Sequence, residues 1–140
     1  MQRIVVAAKA GADQPWLAQA AAQLAAQSGA VVDVVSADGV EIEALSPIPR
    51  DVAAEPAAEA AEAIAAQLRA QGAQAEAHVL HGAVVRNVLL FAEDRNADLI
   101  VCGATTRGPV TRRVLGSVPL ELITRARRPV LVITPPGGGS

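Results

Sequence analysis

The chain has one cysteine, no tyrosine, one phenylalanine and one tryptophan in 140 residues. A single thiol, Cys102, excludes an internal disulfide and fits a reducing compartment, so the cytoplasm is the expected location. Trp16 and Phe91 are the whole aromatic complement. That leaves no set of rings on which single-stranded nucleic acid could stack, and nucleic acid is not an expected partner. No apolar run approaches the ~20 residues that cross a bilayer. The opening MQRIVVAAKAGADQP turns polar too soon to read as a signal peptide. Acids are scarce late in the chain: of 14, only Glu121 lies beyond residue 98, whereas six of the 12 basic residues are arginines between 107 and 128. The basic cluster fits either an anionic partner or a solvated surface.

What is abundant is small and apolar. About half of the residues are hydrophobic (51%), mostly alanine and valine, enough for one core in a chain of single-domain length. Five short runs carry Val, Ile and Leu almost without a break: residues 3–8, 31–36, 75–80, 99–103 and 129–134. Such runs suit strands covered on both faces in a parallel sheet.

Four helical patterns separate them. The first begins at Asp13 as N-cap with Pro15 in its first turn, stops at Gly29, and aligns Leu17, Ala20, Ala21, Leu24 and Ser28. The second spans 56–71 and aligns Ala57, Ala60, Ala61, Ile64 and Leu68. The third spans 83–95, with Val85, Val88, Leu89 and Ala92 inward and Asn96 in the left-handed closing position. The fourth has Ser117 as N-cap and Leu122, Ile123 and Ala126 inward, with Arg125, Arg127 and Arg128 at its negative end. Strand alternating with helix predicts an α/β domain over residues 1–136, a parallel sheet with right-handed crossovers. Residues 37–55 form the one long irregular connection, a place for a lid or a partner surface. The closing Gly/Ser stretch, 137–140, reads as a flexible tail outside the fold.

The stretch CGATTRGPVTRRVLGS, residues 102–117, sets glycines and hydroxyls among arginines directly after a strand. It suits a phosphate loop or a plain surface turn. Gly103 and Gly108 have the spacing that opens a P-loop, but Pro109 and Val110 stand where lysine and a hydroxyl are required. No GxGxxG follows the first strand, which removes the dinucleotide fingerprint. The histidines, His78 and His81, are three apart and point to opposite faces of a strand, so they do not share a metal, and no metal site is expected. Trp16 reads as packing or a partner contact, and Cys102 as a small core residue. No Ser/His/Asp set and no carboxylate pair is visible.

What remains is Gly103 followed thirteen residues later by Gly116-Ser117 at the start of a helix. This resembles the universal stress protein family, whose nucleotide-binding members carry a glycine, two residues, a glycine, nine residues and then Gly-Ser/Thr. RIVVAAKAGAD, VLHGAVVRNVLLFAEDRNADLIVCGA and RRVLGSVPLELITRARRPVLVITP resemble the family's opening, middle and ending, covering most of the chain outside 37–55. The resemblance implies a flavodoxin-like (adenine-nucleotide α-hydrolase-like) three-layer fold with strand order 3-2-1-4-5. It implies ATP or AMP, with Mg²⁺, bound where that order reverses. The loops after Ala8 and Cys102 would end there. Val35 would flank the adenine, Cys102 would form an apolar wall, and the Thr105 hydroxyl would reach a phosphate. Gly103 would admit the phosphate, with Gly108 in the same turn, and the Ser117 hydroxyl and the amides of Ser117 and Val118 would donate to it.

Three positions depart from the family pattern. Lys9 stands where members carry aspartate, Thr106 replaces the middle glycine, and Pro119 stands where a hydroxyl is common. A β-branched residue at 106 adds bulk and resists positive φ, and Lys9 exchanges an acceptor for a cation. Two functions are therefore expected. One is a ligand-sensing regulator rather than a turnover enzyme, dimeric through residues 129–134, an apolar edge that needs covering. The other is a member without nucleotide that works through a regulatory protein partner. Weak ATP hydrolysis ranks third, since no base for water can be named.

Overall fold

A computed structural model gives the fold, describing residues 1–39, 50–104 and 116–136, with Arg50 and Asp51 described by backbone alone. Five strands and four helices alternate: β1 (Arg3–Ala7), α1 (Pro15–Ser28), β2 (Val31–Ala37), α2 (Arg50–Ala70), β3 (Ala75–Leu80), α3 (Val84–Asp94), β4 (Leu99–Gly103), α4 (Ser117–Arg125) and β5 (Val130–Ile133). All pairings are parallel and the order is β3-β2-β1-β4-β5. This is the expected doubly wound, flavodoxin-like sheet.

The uninterrupted apolar runs have the cause that a parallel sheet requires. On β1, Ile4 and Val6 face α1 and α2, whereas Val5 and Ala7 face α3 and α4. On β4, Leu99 and Val101 take the first side, Ile100 and Cys102 the second. Two cores result, one on each face of a single sheet. Among the described residues no helix is long and apolar enough to cross a membrane.

Several local expectations need correction. α1 starts at Pro15, so its N-cap is Gln14 rather than Asp13, and no side chain caps it. Its buried face is Leu17, Ala18, Ala21, Ala22 and Ala25; Ser28 is exposed. α2 begins at Arg50, leaving Pro56 inside the helix. Proline cannot donate to the carbonyl four residues back, that of Val52, a residue 52% exposed. Residues 50–55 are thus helical, and 40–49 of the expected irregular connection lie outside the described residues, as does the tail 137–140. α4 is capped by Gly116, with Ser117 its first helical residue, and Ile123 faces outward.

The late arginines divide. Arg125 lies in the last turn of α4, but Arg128 Nη1 donates to the carbonyls of Ala92 (2.9 Å) and Ala97 (2.8 Å). It therefore serves the carbonyl end of α3. Asn96 closes α3 at φ 53, as expected.

One charge interrupts a buried strand. Asp33 on β2 is 1% exposed; its carboxylate accepts from Arg3 Nη1 and lies 2.9 Å from His78 Nε2. His78 in turn leans on the Phe91 ring (centroids 4.9 Å), over which the Arg95 guanidinium sits at 4.8 Å. Buried carboxylates persist only when paired in this way. Glu76 stands near enough to make a three-ligand group with Asp33 and His78. Arg3, and Arg95 at 3.9 Å, already face the Asp33 carboxylate and oppose a cation there. His81 points elsewhere, to Asp38 at 2.7 Å, so the two histidines do not converge.

Candidate functional site

The strand order reverses between β1 and β4: α1 carries the chain from β1 toward β2, and the chain leaves β4 on the other side. The two connections diverge at the carboxyl ends of these strands and open a crevice. A cavity of about 1000 Å³ lies at this point. Ala7 at the end of β1, Ala8 just beyond it, and Cys102 and Gly103 from β4 form its floor. The β1–α1 turn supplies Lys9 and Gln14, the end of β2 supplies Asp38 and Gly39, and α4 supplies Gly116 through Leu120.

Small residues at the strand ends create the space. Gly103 also has a second reason to be glycine. A Cβ there would stand 2.4 Å from Trp16 Cη2 and 2.9 Å from Gln14 Nε2. Trp16 is partly buried and packs on the α1 core, so its ring passes beside the end of β4, and the packing expected of it is what the structure shows. The β1–α1 turn is closed by two hydrogen bonds. Ala12 N–H donates to the Lys9 carbonyl at 3.1 Å, and Lys9 N–H donates to Gln14 Oε1 at 3.0 Å.

The α4 end is built for an acceptor. Gly116 has φ 91 and ψ 159, a region essentially closed to residues with a Cβ. It turns the chain into the helix without a side-chain cap. The first intrahelical bond runs from Leu120 N–H to the Gly116 carbonyl at 3.3 Å. The amides of Ser117 and Val118 have no acceptor among the described residues, and Pro119 has no N–H to give. Since Ser117 is not the cap, its exposed hydroxyl is left for the cleft. Free amides and the helix dipole both favour an anion at such an end.

At the opposite pole Asp38 is committed within the protein. Its carboxylate accepts from Gly82 N–H at 2.9 Å and pairs with His81. Burial pushes the Cys102 thiol up to about 11, so at neutral pH it is a protonated floor residue and not a nucleophile.

Of the residues singled out from sequence, Ala8, Lys9, Cys102, Gly103, Gly116, Ser117 and Val118 meet in this cleft. Val35 does not: it is buried between the sheet and α3/α4, and Ala37 and Asp38, just beyond it, take the wall position instead. Thr105, Thr106 and Gly108 lie outside the described residues. Gln14, Asp38, Gly39, Val84 and Leu120 line the cleft without having been anticipated.

A doubly wound α/β domain with strand order β3-β2-β1-β4-β5 and a crevice at its switch point belongs to the class of flavodoxin-like domains. The model of the universal stress protein family matches residues 1–134, and the chain belongs to that family. It is 32% identical over 106 residues to a universal stress protein of Methanocaldococcus jannaschii, an alignment covering 76% of this chain and 62% of that relative's length. It is similar in structure to the universal stress protein of Archaeoglobus fulgidus in complex with dAMP (TM-score 0.75, 26% identity, 95% of this chain and 98% of that one). It also resembles a universal stress protein in complex with cAMP (TM-score 0.70, 27% identity, 94% and 96%).

Proposed function

We propose that the chain binds an adenine nucleotide, ATP or AMP, in the switch-point cleft and works as a ligand-sensing regulator in a stress response in the cytoplasm. The observation that carries this reading is the lining of the cleft. Gly103, the amides of Ser117 and Val118, which have no acceptor among the described residues, and the exposed Ser117 hydroxyl surround a space of about 1000 Å³, as an acceptor-rich ligand requires. Similarity to proteins in complex with dAMP and cAMP supports it.

Binding without turnover is favoured by the same lining. Cys102 stays protonated, and the Asp38 carboxylate is engaged by His81 and Gly82. Any Mg²⁺ would therefore arrive on the ligand's phosphates, and the Ser117 hydroxyl at the start of α4 would offer it an oxygen. The proposed active form is a homodimer closed along β5, an edge strand on which Leu131 is 37% exposed.

A second reading, a protein-binding regulator without nucleotide, draws on Lys9 and Pro119, which add a cation and remove a backbone donor at the cleft. Thermal unfolding with AMP, ATP and cAMP, with and without Mg²⁺, separates the two. A ligand at 100 times its Kd raises stability by about 2.7 kcal/mol. Unchanged melting with every nucleotide would leave the second reading standing alone.

A further inference from the structure

The carboxamide of Gln14 is fixed at one end and open at the other. Gln14 is 8% exposed and lines the cleft. Its partner is the backbone N–H of Lys9, which can only donate, so the atom facing Lys9 is the oxygen and Nε2 points away. On that side Nε2 lies against the bare α-carbon of Gly103: a Cβ there would be 2.9 Å from it. Nε2 has no acceptor among the described residues. The fully enclosed side-chain polar atom without a partner is Ser36 Oγ, so Nε2 meets the cleft and not packed protein. Nε2 is thus a donor held in place at the cleft wall with no protein acceptor among the described residues, able to give its hydrogen to a ligand.

The other polar groups here point to the missing acceptor. Ser117 N–H, Val118 N–H and the Lys9 ammonium all donate. A nucleobase edge mixes donors and acceptors, whereas a phosphate at neutral pH offers acceptors to every one of these groups. We propose that Gln14 is the phosphate-reading residue of the cleft, its Nε2 donating to a phosphate oxygen beside Gly103 while other oxygens of the group face the N-terminus of α4. This rests on the nucleotide reading given above. The bond from Lys9 N–H orients the carboxamide before the ligand arrives, so no ordering of this side chain is needed on binding.

Gln14→Glu tests the contact, because it keeps an oxygen for Lys9 N–H and exchanges the donor for a negatively charged acceptor. Gln14→Met, neutral and close in volume, guards against a charge that the fold rejects. Calorimetric titration of each folded variant with AMP and with adenosine is the measurement. AMP affinity is expected to fall at least about tenfold in Gln14→Glu and several-fold in Gln14→Met, with adenosine affinity unchanged in both. Equal losses for AMP and adenosine, or undiminished AMP binding in a folded variant, would overturn the contact. If the unsubstituted protein binds neither AMP nor ATP, the nucleotide reading itself is lost and the contact with it. Binding by the unsubstituted protein that both variants retain removes only Gln14.

Discussion

The ring of Trp16 occupies the space in which a side chain at position 103 would begin: a Cβ on Gly103 would lie 2.4 Å from Cη2 and 2.9 Å from Cζ3. Such a contact forces one partner to move. Gly103→Ala is therefore expected to destabilise the fold by about 1–3 kcal/mol, as overpacking does. Adding Trp16→Leu should recover part of that loss. Urea denaturation of the two variants checks this, and an additive double variant would show that the two positions do not compete for space. Trp16 is the sole tryptophan, so its fluorescence also reports directly on the floor of the cleft.

Gly116 carries the turn into α4 at φ 91 and ψ 159. Gly116→Ala should cost about 1–3 kcal/mol in backbone strain, or shift the helix start and misplace the Ser117 and Val118 amides. Only the second result weakens the proposed nucleotide binding. Stability and AMP affinity measured on the same variant distinguish strain that is absorbed from a turn that is rebuilt; a variant equal to the parent in both would contradict the geometry.

The sequence made the strands plain and the helix faces less so, for a physical reason. Strands buried on both sides must be apolar throughout, so β1, β2 and β4 stand out as Val/Ile/Leu runs even with Asp33 inside one of them. In α1, alanine fills both inward and outward positions, and periodicity loses its direction. Leu17 and Ala21 are buried and Leu24 packs partly buried against the same core, as expected, but Ala18, Ala22 and Ala25 complete the buried face in place of Ala20 and Ser28. The start of α2 was hidden by Pro56, which suits a first turn yet stands inside the helix. The two ends of the cleft, at Gly103 and Gly116-Ser117, were legible through their resemblance to the family's motif, since the same residues alone would also suit a turn and a helix start. Gln14 was not, since its meaning lies in the bond to Lys9 N–H, a backbone contact with no sequence signature. The Asp38–His81 pair joins residues 43 apart across parallel strands and is likewise silent in one dimension.

Asp33 and Arg3 make a second testable pair. The carboxylate is 1% exposed and the arginine side chain 32%, so removing either leaves a different problem. Asp33→Ala strips the partner from a cation that can still reach water, whereas Arg3→Ala leaves a buried carboxylate held by His78 and, at longer range, Arg95. Both should destabilise, by about 3 kcal/mol or more for a buried charge left without its partner and by less for Asp33→Ala. A double-mutant cycle read by denaturation should show a coupling clearly above the ~0.5 kcal/mol of independent sites; coupling at or below that level would mean the pair contributes only its separate burial costs.

Asp98 ties the start of the chain to β4. Its Oδ2 accepts the N–H groups of Gln2 at 2.7 Å and Arg3 at 3.0 Å, and these bonds hold its carboxyl below the ordinary aspartate value. The folded state therefore binds this proton less readily than the unfolded chain. The stabilisation is complete above the ordinary aspartate value and disappears as pH falls through the lower, folded one. Asp98→Asn should be less stable than the parent at pH 7, and the gap should narrow under acid. Thermal melts from pH 7 to pH 3 measure it; a gap independent of pH would assign the effect to geometry and not to charge.

β5 is the strand at the end of the sheet, and its outer edge has no partner within the described residues. Leu131 is 37% exposed there, and Ile123 on the preceding helix is 48% exposed. An open apolar edge of this kind is a template for a second copy of the chain, and a closed twofold pairing is the commonest way to cover it. Leu131→Lys sets a charge on that edge, where two copies would bring like charges together, while a lone strand accommodates it in water. The parent is expected to elute with a mass near twice the 14.3 kDa of the chain, and the variant near the chain mass, with its melting temperature lower and newly independent of protein concentration. Light scattering coupled to size exclusion decides this. A parent that is monomeric across the micromolar range, or a variant that remains dimeric, would overturn pairing through β5.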